Sequence, residues 1–375
     1  MRFDGISPAA REQACAALAR RAQMAGPAPV VRFLDCGTRM VRLICHSAAF
    51  LRHVERQMTC ALREDAPGFD ATLVIWQERS VAEAALAVVR VLDGTSYRRL
   101  RVGRLTGMAG AEAVQVFDEE LLRHWPLLDI QPGDGSLSAF APERDTYYYA
   151  VEDLDPEEFI KRGHIFVQLL FRICNVPGSS LAHGAVVGLN GAGVLLCAFG
   201  YRGKSTLSVH ALLDGFEYVS DDYLILGRKE DGTERDILRA WPVYSVIALS
   251  PHAYQAMYDG FRGKFLSNNA RKDKYMFNIA CYHEQFRRGY PVRLCMFPNI
   301  CDCVEPSIEP GSRERALEEL AFSTLNNTGN PRDAVTIGKL YEFVRDLPFY
   351  RFDLSRNIAR NTRCLREFME QLSAI

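Results

Sequence analysis

No stretch of this 375-residue chain comes near the roughly 20 consecutive apolar residues that a membrane-spanning helix needs. Even the run from Ala84 to Val91 is broken by Arg90 and closed by Asp93-Gly94, so no membrane insertion is expected. An excess of one charge is absent too: 45 Lys and Arg stand against 46 Asp and Glu, for a net charge of −1. Overall charge therefore gives the chain no reason to seek nucleic acid or an anionic bilayer. The chain opens Met1-Arg2-Phe3-Asp4 rather than with a basic and then apolar leader, and its 11 cysteines are odd in number and scattered. Both features read as a reducing cytoplasm. Cys301 and Cys303 have no second Cys or His pair nearby, so they are expected to be structural thiols at a strand end rather than zinc ligands. Internal repeats and low-complexity segments are also missing.

What is present reads as two domains, since 375 residues exceed the usual size of one. In the first, Ala9 to Ala25 places Ala14, Leu18 and Ala22 four residues apart and stops at Gly26-Pro27, a helix. Strands are expected at Val30 to Leu34, Met40 to Cys45 and Ala71 to Trp76, with a helix over Ala48 to Leu62. Gln131 to Ser136 is a loop by composition, and the boundary is placed near 145, giving a small α/β domain over 1–145 and a larger one over 146–375. His46, His53 and His124 are isolated and read as structural. Beyond the boundary, a helix is expected from Pro156 through Cys174, followed by short apolar strands. Ala185 to Leu189 and Gly193 to Ala198 flank Asn190-Gly191, the dipeptide best suited to positive φ at both centres of a tight hairpin turn.

The second of those strands runs into Ala198-Phe199-Gly200-Tyr201-Arg202-Gly203-Lys204-Ser205-Thr206, and a helix is expected from Ser205 to Leu213. Strand, loop and helix start in that order make a phosphate site: amides at a helix N-terminus, aided by its dipole, bind phosphate oxygens. Gly200, Tyr201, Arg202, Gly203, Lys204, Ser205 and Thr206 would form the cradle. Lys204 would add a point charge and Ser205 a hydroxyl for Mg²⁺. The usual first glycine of such a loop is Ala198 here. The next strand, Phe216 to Val219, delivers Ser220-Asp221-Asp222 at its end, two adjacent carboxylates that call for a cation nearby. In an extended strand end, neighbouring side chains point apart, so Asp221 and Asp222 are expected to do different jobs. His183-Gly184 precedes the hairpin that carries the loop.

The spacing of these residues resembles the catalytic domain of the HPr kinase/phosphorylase family, which is related in topology to phosphoenolpyruvate carboxykinase. His183-Gly184, Lys204 twenty-one residues on, and Asp222 eighteen residues beyond that lysine carry the likeness, which is strongest over 181–226. It implies a mixed α/β fold with a P-loop kinase core and a smaller N-terminal α/β domain. It also implies ATP or another nucleoside triphosphate and Mg²⁺ as cofactors, His183, Lys204 and Asp222 as catalytic residues, Asp222 as the base towards an acceptor hydroxyl, and Ser205 with Asp221 at the metal. The acceptor would be a hydroxyl on a peptide, protein or small molecule, with residues 1–145 recognising it; a homo-oligomer is left open. No counterpart of the family's later metal-binding glutamate is evident over Asp236 to Leu249. A nucleotide-binding regulator without turnover, or a carboxykinase-like or phosphorylase enzyme, are the rival readings. Lys272, Lys274, Arg287, Arg288 and Arg293 are candidates for a further cation.

Overall fold

The computed structural model describes residues 8–26, 28–81, 84, 101–103, 115–117, 128–131, 136–141, 144–152, 163–228, 237–255, 257, 260–269, 273–328 and 334–373. Lys272, His124, most of the expected loop after Gln131 and the start of the expected helix at Pro156 lie outside them. The chain is a mixed α/β protein, and among the described residues no helix is long and apolar enough to cross a membrane. It forms two compact units, and neither is a continuous stretch: unit 1 holds 1–34, 40–53 and 63–159, and unit 2 holds 35–39, 54–62 and 160–375.

In unit 1 the helix Pro8–Met24 (α1) turns Ala14, Leu18 and Ala22 into a core with Trp76, Leu137, Tyr148 and Ala150. The strands are Val30–Asp35 (β1), Met40–Cys45 (β2), Leu62–Arg63 (β3), Ala71–Glu78 (β4), Arg101–Gly103 (β5), Gln115–Phe117 (β6), Leu128–Gln131 (β7), Ser136–Ala141 (β8) and Thr146–Glu152 (β9), with the helix Ala48–Met58 (α2) after β2; Asp35, residues 54–58 and Leu62 of these elements are counted with unit 2. The main sheet runs β3-β1-β2-β4-β9-β8-β7, and β4 is central, with parallel partners on both sides. Its apolar run is what a strand buried on both faces requires. The helix expected to reach Leu62 ends at Met58, because residues 62–63 turn into β3.

Unit 2 contains the helix Val167–Cys174 (α3) and the strands Ser179–His183 (β10), Ala185–Leu189 (β11) and Ala192–Leu196 (β12). The helix Lys204–Leu213 (α4) follows, then Glu217–Ser220 (β13), Tyr223–Arg228 (β14), Leu238–Pro242 (β15) and Val246–Leu249 (β16). After the short helix Pro251–Gln255 (α5) come Lys264–Asn269 (β17), Lys274–Asn278 (β18), Tyr290–Ile300 (β19) and Ser307–Pro310 (β20). The helices Arg313–Thr328 (α6) and Ala334–Val344 (α7), the strand Phe349–Leu354 (β21) and the helix Ile358–Ser373 (α8) complete it. Nine strands form one sheet along the path β10-β14-β15-β19-β12-β11-β13, with β20 and β21 joined through β19. β16, β18 and β17 form a separate three-stranded sheet.

Alternation along the central strands fills two cores. Val187, Val194, Leu196 and Met296 pack with Leu207 and Ala211 of α4 and Leu365 of α8, while Val186, Leu195, Cys197 and Cys295 pack with Leu320 of α6 and Leu340 of α7. A period of two buries both faces because helices cover both. The β11–β12 turn has Asn190 at φ 51° and Gly191 at φ 81°, with Leu189 opposite Ala192, so the loop is two residues long and Ala192 belongs to the strand. On α4 it is Val209 that faces fully inward, and Leu213 is half-buried.

The two early segments of unit 2 are held by specific contacts. Gly37 has φ 77°, and a Cβ there would lie 2.1 Å from the Trp241 ring, so only glycine fits. Arg288 pairs with Asp35 at 2.8 Å and donates to the Cys60 carbonyl at 2.8 Å. Gln57, fully buried, donates to the Gly163 carbonyl and accepts the Ile165 amide. Cys301 and Cys303 are joined to each other in a disulfide directly after β19, which corrects the expectation of free thiols. One intervening residue leaves their Cα atoms 5.4 Å apart, within bonding reach.

Candidate functional site

β12 delivers Cys197, whose amide continues the parallel ladder by donating to the Met296 carbonyl at 2.9 Å. The chain then leaves the sheet and re-enters helical geometry at Lys204. Tyr201 at φ 66° and Gly203 at φ 88° make the reversal through left-handed backbone. At Gly203 a Cβ would also meet Leu354 Cδ1 at 2.7 Å, so the glycine is required twice over. Ala198 is not among the positive-φ residues and is buried, which explains why this position works without glycine. Gly203 occupies the N-cap of α4 with no side-chain capping bond. The first-turn amides of this ten-residue helix are thus left without the side-chain partner that usually serves them.

These amides border a cavity of about 240 Å³ lined by Gly200 through Thr206 together with His183, Phe199, Asp222, Ser250 and Lys274. All seven loop residues expected from the sequence are brought together there, along with Lys204, His183 and Asp222. Arg202 extends to Asn299 Oδ1 at 3.0 Å, and Tyr201 stays exposed with the Lys274 ammonium 5.8 Å from its ring centroid.

Asp222 is the meeting point. Its Oδ1 lies 3.5 Å from Lys204 Nζ and 3.6 Å from His183 Nε2, and all three side chains are buried. Burial would raise its pKa, but His183, Lys204, Lys274 and His164 outweigh it and hold the carboxyl well below the usual range. The backbone here is unusual. Asp222 has φ 67°, and the Tyr223 amide donates to the Asp221 carbonyl at 2.9 Å, a three-residue turn of the positive-φ γ type. Such a turn costs about 1–3 kcal/mol. The Asp222 carbonyl accepts the Gly184 amide at 2.9 Å, which fastens the turn beside His183. Asp221 therefore opens the turn and Asp222 is its centre, which corrects the expectation of an extended strand end.

Asp221 does not line the cavity; it is 1% exposed, and neither carboxylate oxygen has a partner of hydrogen-bonding geometry. Burial first, and the charge of Asp222 second, push its pKa up to about 6, against the opposing pull of Lys204, Lys274 and the nearby Ser205 hydroxyl. Among the described residues no group of three or more His, Cys, Asp and Glu could hold a metal by itself.

The structure separates the candidate cations. Lys274, on β18, is at the cavity. Arg287 is engaged by Glu217 at 2.9 Å, Arg288 by Asp35 at 2.8 Å, and Arg293 faces out from β19. His164 escaped the sequence reading: its ring lies edge-on to Tyr223 at 5.3 Å, and Tyr223 lies edge-on to His183 at 5.3 Å. No motif marks it, since an isolated histidine after Arg162-Gly163 carries no spacing signal.

No family model matches the chain, and no curated protein matches it. Among solved structures, the Hpr(Ser) kinase/phosphatase from Coxiella burnetii aligns with a TM-score of 0.27 at 13% identity, over 52% of this chain and 93% of that one.

Proposed function

We propose that this protein is an ATP- and Mg²⁺-dependent phosphotransferase acting on a hydroxyl of a peptide, protein or small molecule. The observation that carries the reading is the convergence of an uncapped helix N-terminus, Lys204 and the ionised Asp222 on one cavity. Loop amides from Gly200 to Thr206 and the Lys204 ammonium bind the phosphates, where dipole and point charge act together. Mg²⁺ fits the residues present: both Asp221 oxygens are buried without partners, and the Ser205 hydroxyl is close by. Ser205 and Asp221 would hold it, and a bound Mg²⁺ would supply positive charge against the phosphates. Asp222 takes the proton from the acceptor hydroxyl as that oxygen bonds the γ-phosphorus of ATP and the bond from this phosphorus to the β,γ-bridging oxygen breaks, releasing ADP. A low pKa suffices because phosphoryl transfer passes through a loose transition state in which that proton leaves late. His183 orients the Asp222 carboxylate, and Lys274 adds positive charge at the cavity's side. Recognition of the acceptor falls to residues 1–145 in this reading, because every residue named in the site belongs to unit 2.

A nucleotide-binding regulator is the second reading, favoured by the lack of a second carboxylate beside Asp222 among the described residues lining the cavity. Labelled ATP incubated with native extract and either the parent or Asp222→Asn separates the two. Transfer of label to a hydroxyl by the parent alone supports the phosphotransferase. Calorimetric binding of Mg²⁺-ATP without any transfer supports the regulator.

A further inference from the structure

β10 is the outer strand of its sheet, so backbone groups along its open edge need partners from another element. At His183 both come from α6: Thr324 Oγ1 accepts the amide at 2.9 Å, and Ser323 Oγ donates to the carbonyl at 3.3 Å. One turn earlier on the same helix, Glu319 reaches the phosphate loop. Its Oε2 accepts the Phe199 amide at 2.8 Å, and its Oε1 takes the Arg315 guanidinium at 2.6 Å. Glu319 and Ser323, four residues apart, share a helix face with Thr324 beside Ser323, and all three side chains are buried. A carboxylate is rarely buried to 4% exposure unless it is paired, and this one is paired with a loop amide and an arginine. An amide committed to Glu319 cannot also serve a phosphate. Glu319 therefore sets the point at which the loop amides begin to turn towards the cavity.

We propose that Glu319 is a positioning residue that pre-organises the phosphate loop, and that α6 sets the loop and His183 relative to each other. Its consequence for ligand binding rests on the phosphotransferase reading. A loop already ordered before the anion arrives spends none of the binding free energy on ordering. Removing a charge-assisted bond to a backbone amide should raise local opening roughly 10- to 100-fold.

The test compares the full-length parent with Glu319→Leu, Glu319→Gln and Arg315→Leu. Amide hydrogen exchange over residues 197–203 is measured without ligand, and Mg²⁺-ATP affinity is measured by calorimetry. Glu319→Leu is expected to raise loop exchange roughly 10- to 100-fold and to weaken Mg²⁺-ATP by a similar factor, with KM rising more than kcat falls. Glu319→Gln keeps an acceptor oxygen and should restore most of the protection. Arg315→Leu leaves the Phe199 bond in place and should shift loop exchange by less than about threefold. Unchanged loop exchange in folded Glu319→Leu overturns the proposal. If Glu319→Leu does not fold, the other two decide: Arg315→Leu exposing the loop more than Glu319→Gln does overturns it, and the reverse supports it. Loop protection that depends on Glu319 in a parent that binds no Mg²⁺-ATP keeps the positioning role and removes the phosphotransferase reading.

Discussion

β13 begins at one carboxylate and is followed directly by another, and the two are treated in opposite ways. At its start Glu217 accepts from the Tyr290 hydroxyl, from Arg287 Nε at 2.9 Å and from the Gly191 amide at 3.2 Å. Burial alone would raise its pKa, but these donors outweigh it and hold the carboxyl below its ordinary value. Just past the other end, Asp221 is more deeply buried, and its oxygens have no partner of hydrogen-bonding geometry, only the nearby Ser205 hydroxyl and the charges of Lys204 and Lys274. A carboxylate supplied with donors serves the fold. One kept without them destabilises the fold and is retained where a cation can complete it.

The sharpest break in that comparison comes one residue further on. Asp222→Asn should lower single-turnover phosphoryl transfer roughly 10²- to 10⁴-fold while nucleotide affinity stays within a few-fold. The backbone should survive, since asparagine tolerates positive φ as aspartate does. Near-parental turnover would mean that Asp222 is not the base. Next in size, Lys204→Ala should weaken Mg²⁺-ATP roughly 10- to 100-fold in calorimetry, because a charge-assisted contact to phosphate is lost. Equal affinity would remove the phosphate-loop reading.

The two ends of β13 can then be set against each other in thermal or urea unfolding without metal. Asp221→Asn should stabilise the protein by about 1–3 kcal/mol, by relieving an unpartnered buried charge, and should raise the Mg²⁺ concentration needed for activity. Glu217→Gln should destabilise by about 1–2 kcal/mol and leave the Mg²⁺ requirement alone. Shifts of the same sign in both variants would dissolve the contrast. The smallest effect is in pH. Because the folded pKa of Glu217 lies below the ordinary 4.5, its stabilisation is present above 4.5 and is lost as pH falls through the folded value. The stability gap between parent and Glu217→Gln should therefore narrow on going from pH 7 into the acid range, as read from urea midpoints.

Much of the site was legible because its chemistry is local. Asn190-Gly191 announces a tight hairpin turn by backbone preference, its two-residue length being fixed only by the pairing of Leu189 with Ala192, and Gly203-Lys204-Ser205 follows a strand at a fixed offset. What was not legible depends on contacts between distant segments. Lys274 could not be chosen over Arg287 and Arg288 until Glu217 and Asp35 were seen to engage the arginines. Glu319 lies 120 residues from the amide that it accepts, on a helix whose sequence shows only an ordinary mixture of charge and apolar residues. The turn at Asp222 was missed for another reason: aspartate is common both at strand ends and in left-handed backbone, so residue type did not distinguish them.

The return of residues 35–39 and 54–62 to unit 2 has a consequence during synthesis. Asp35 is made long before Arg288, 253 positions later in the chain. At about 5–20 residues per second that interval is roughly 13–50 s. Throughout it Asp35 lacks its guanidinium; within it, Gln57 waits until Gly163 is made, 106 residues after it, and Gly37 waits until Trp241 is made. Unit 2 therefore cannot close in the order in which it is translated. Its oldest segments wait for partners made later, and a polypeptide started at residue 146 would never receive them.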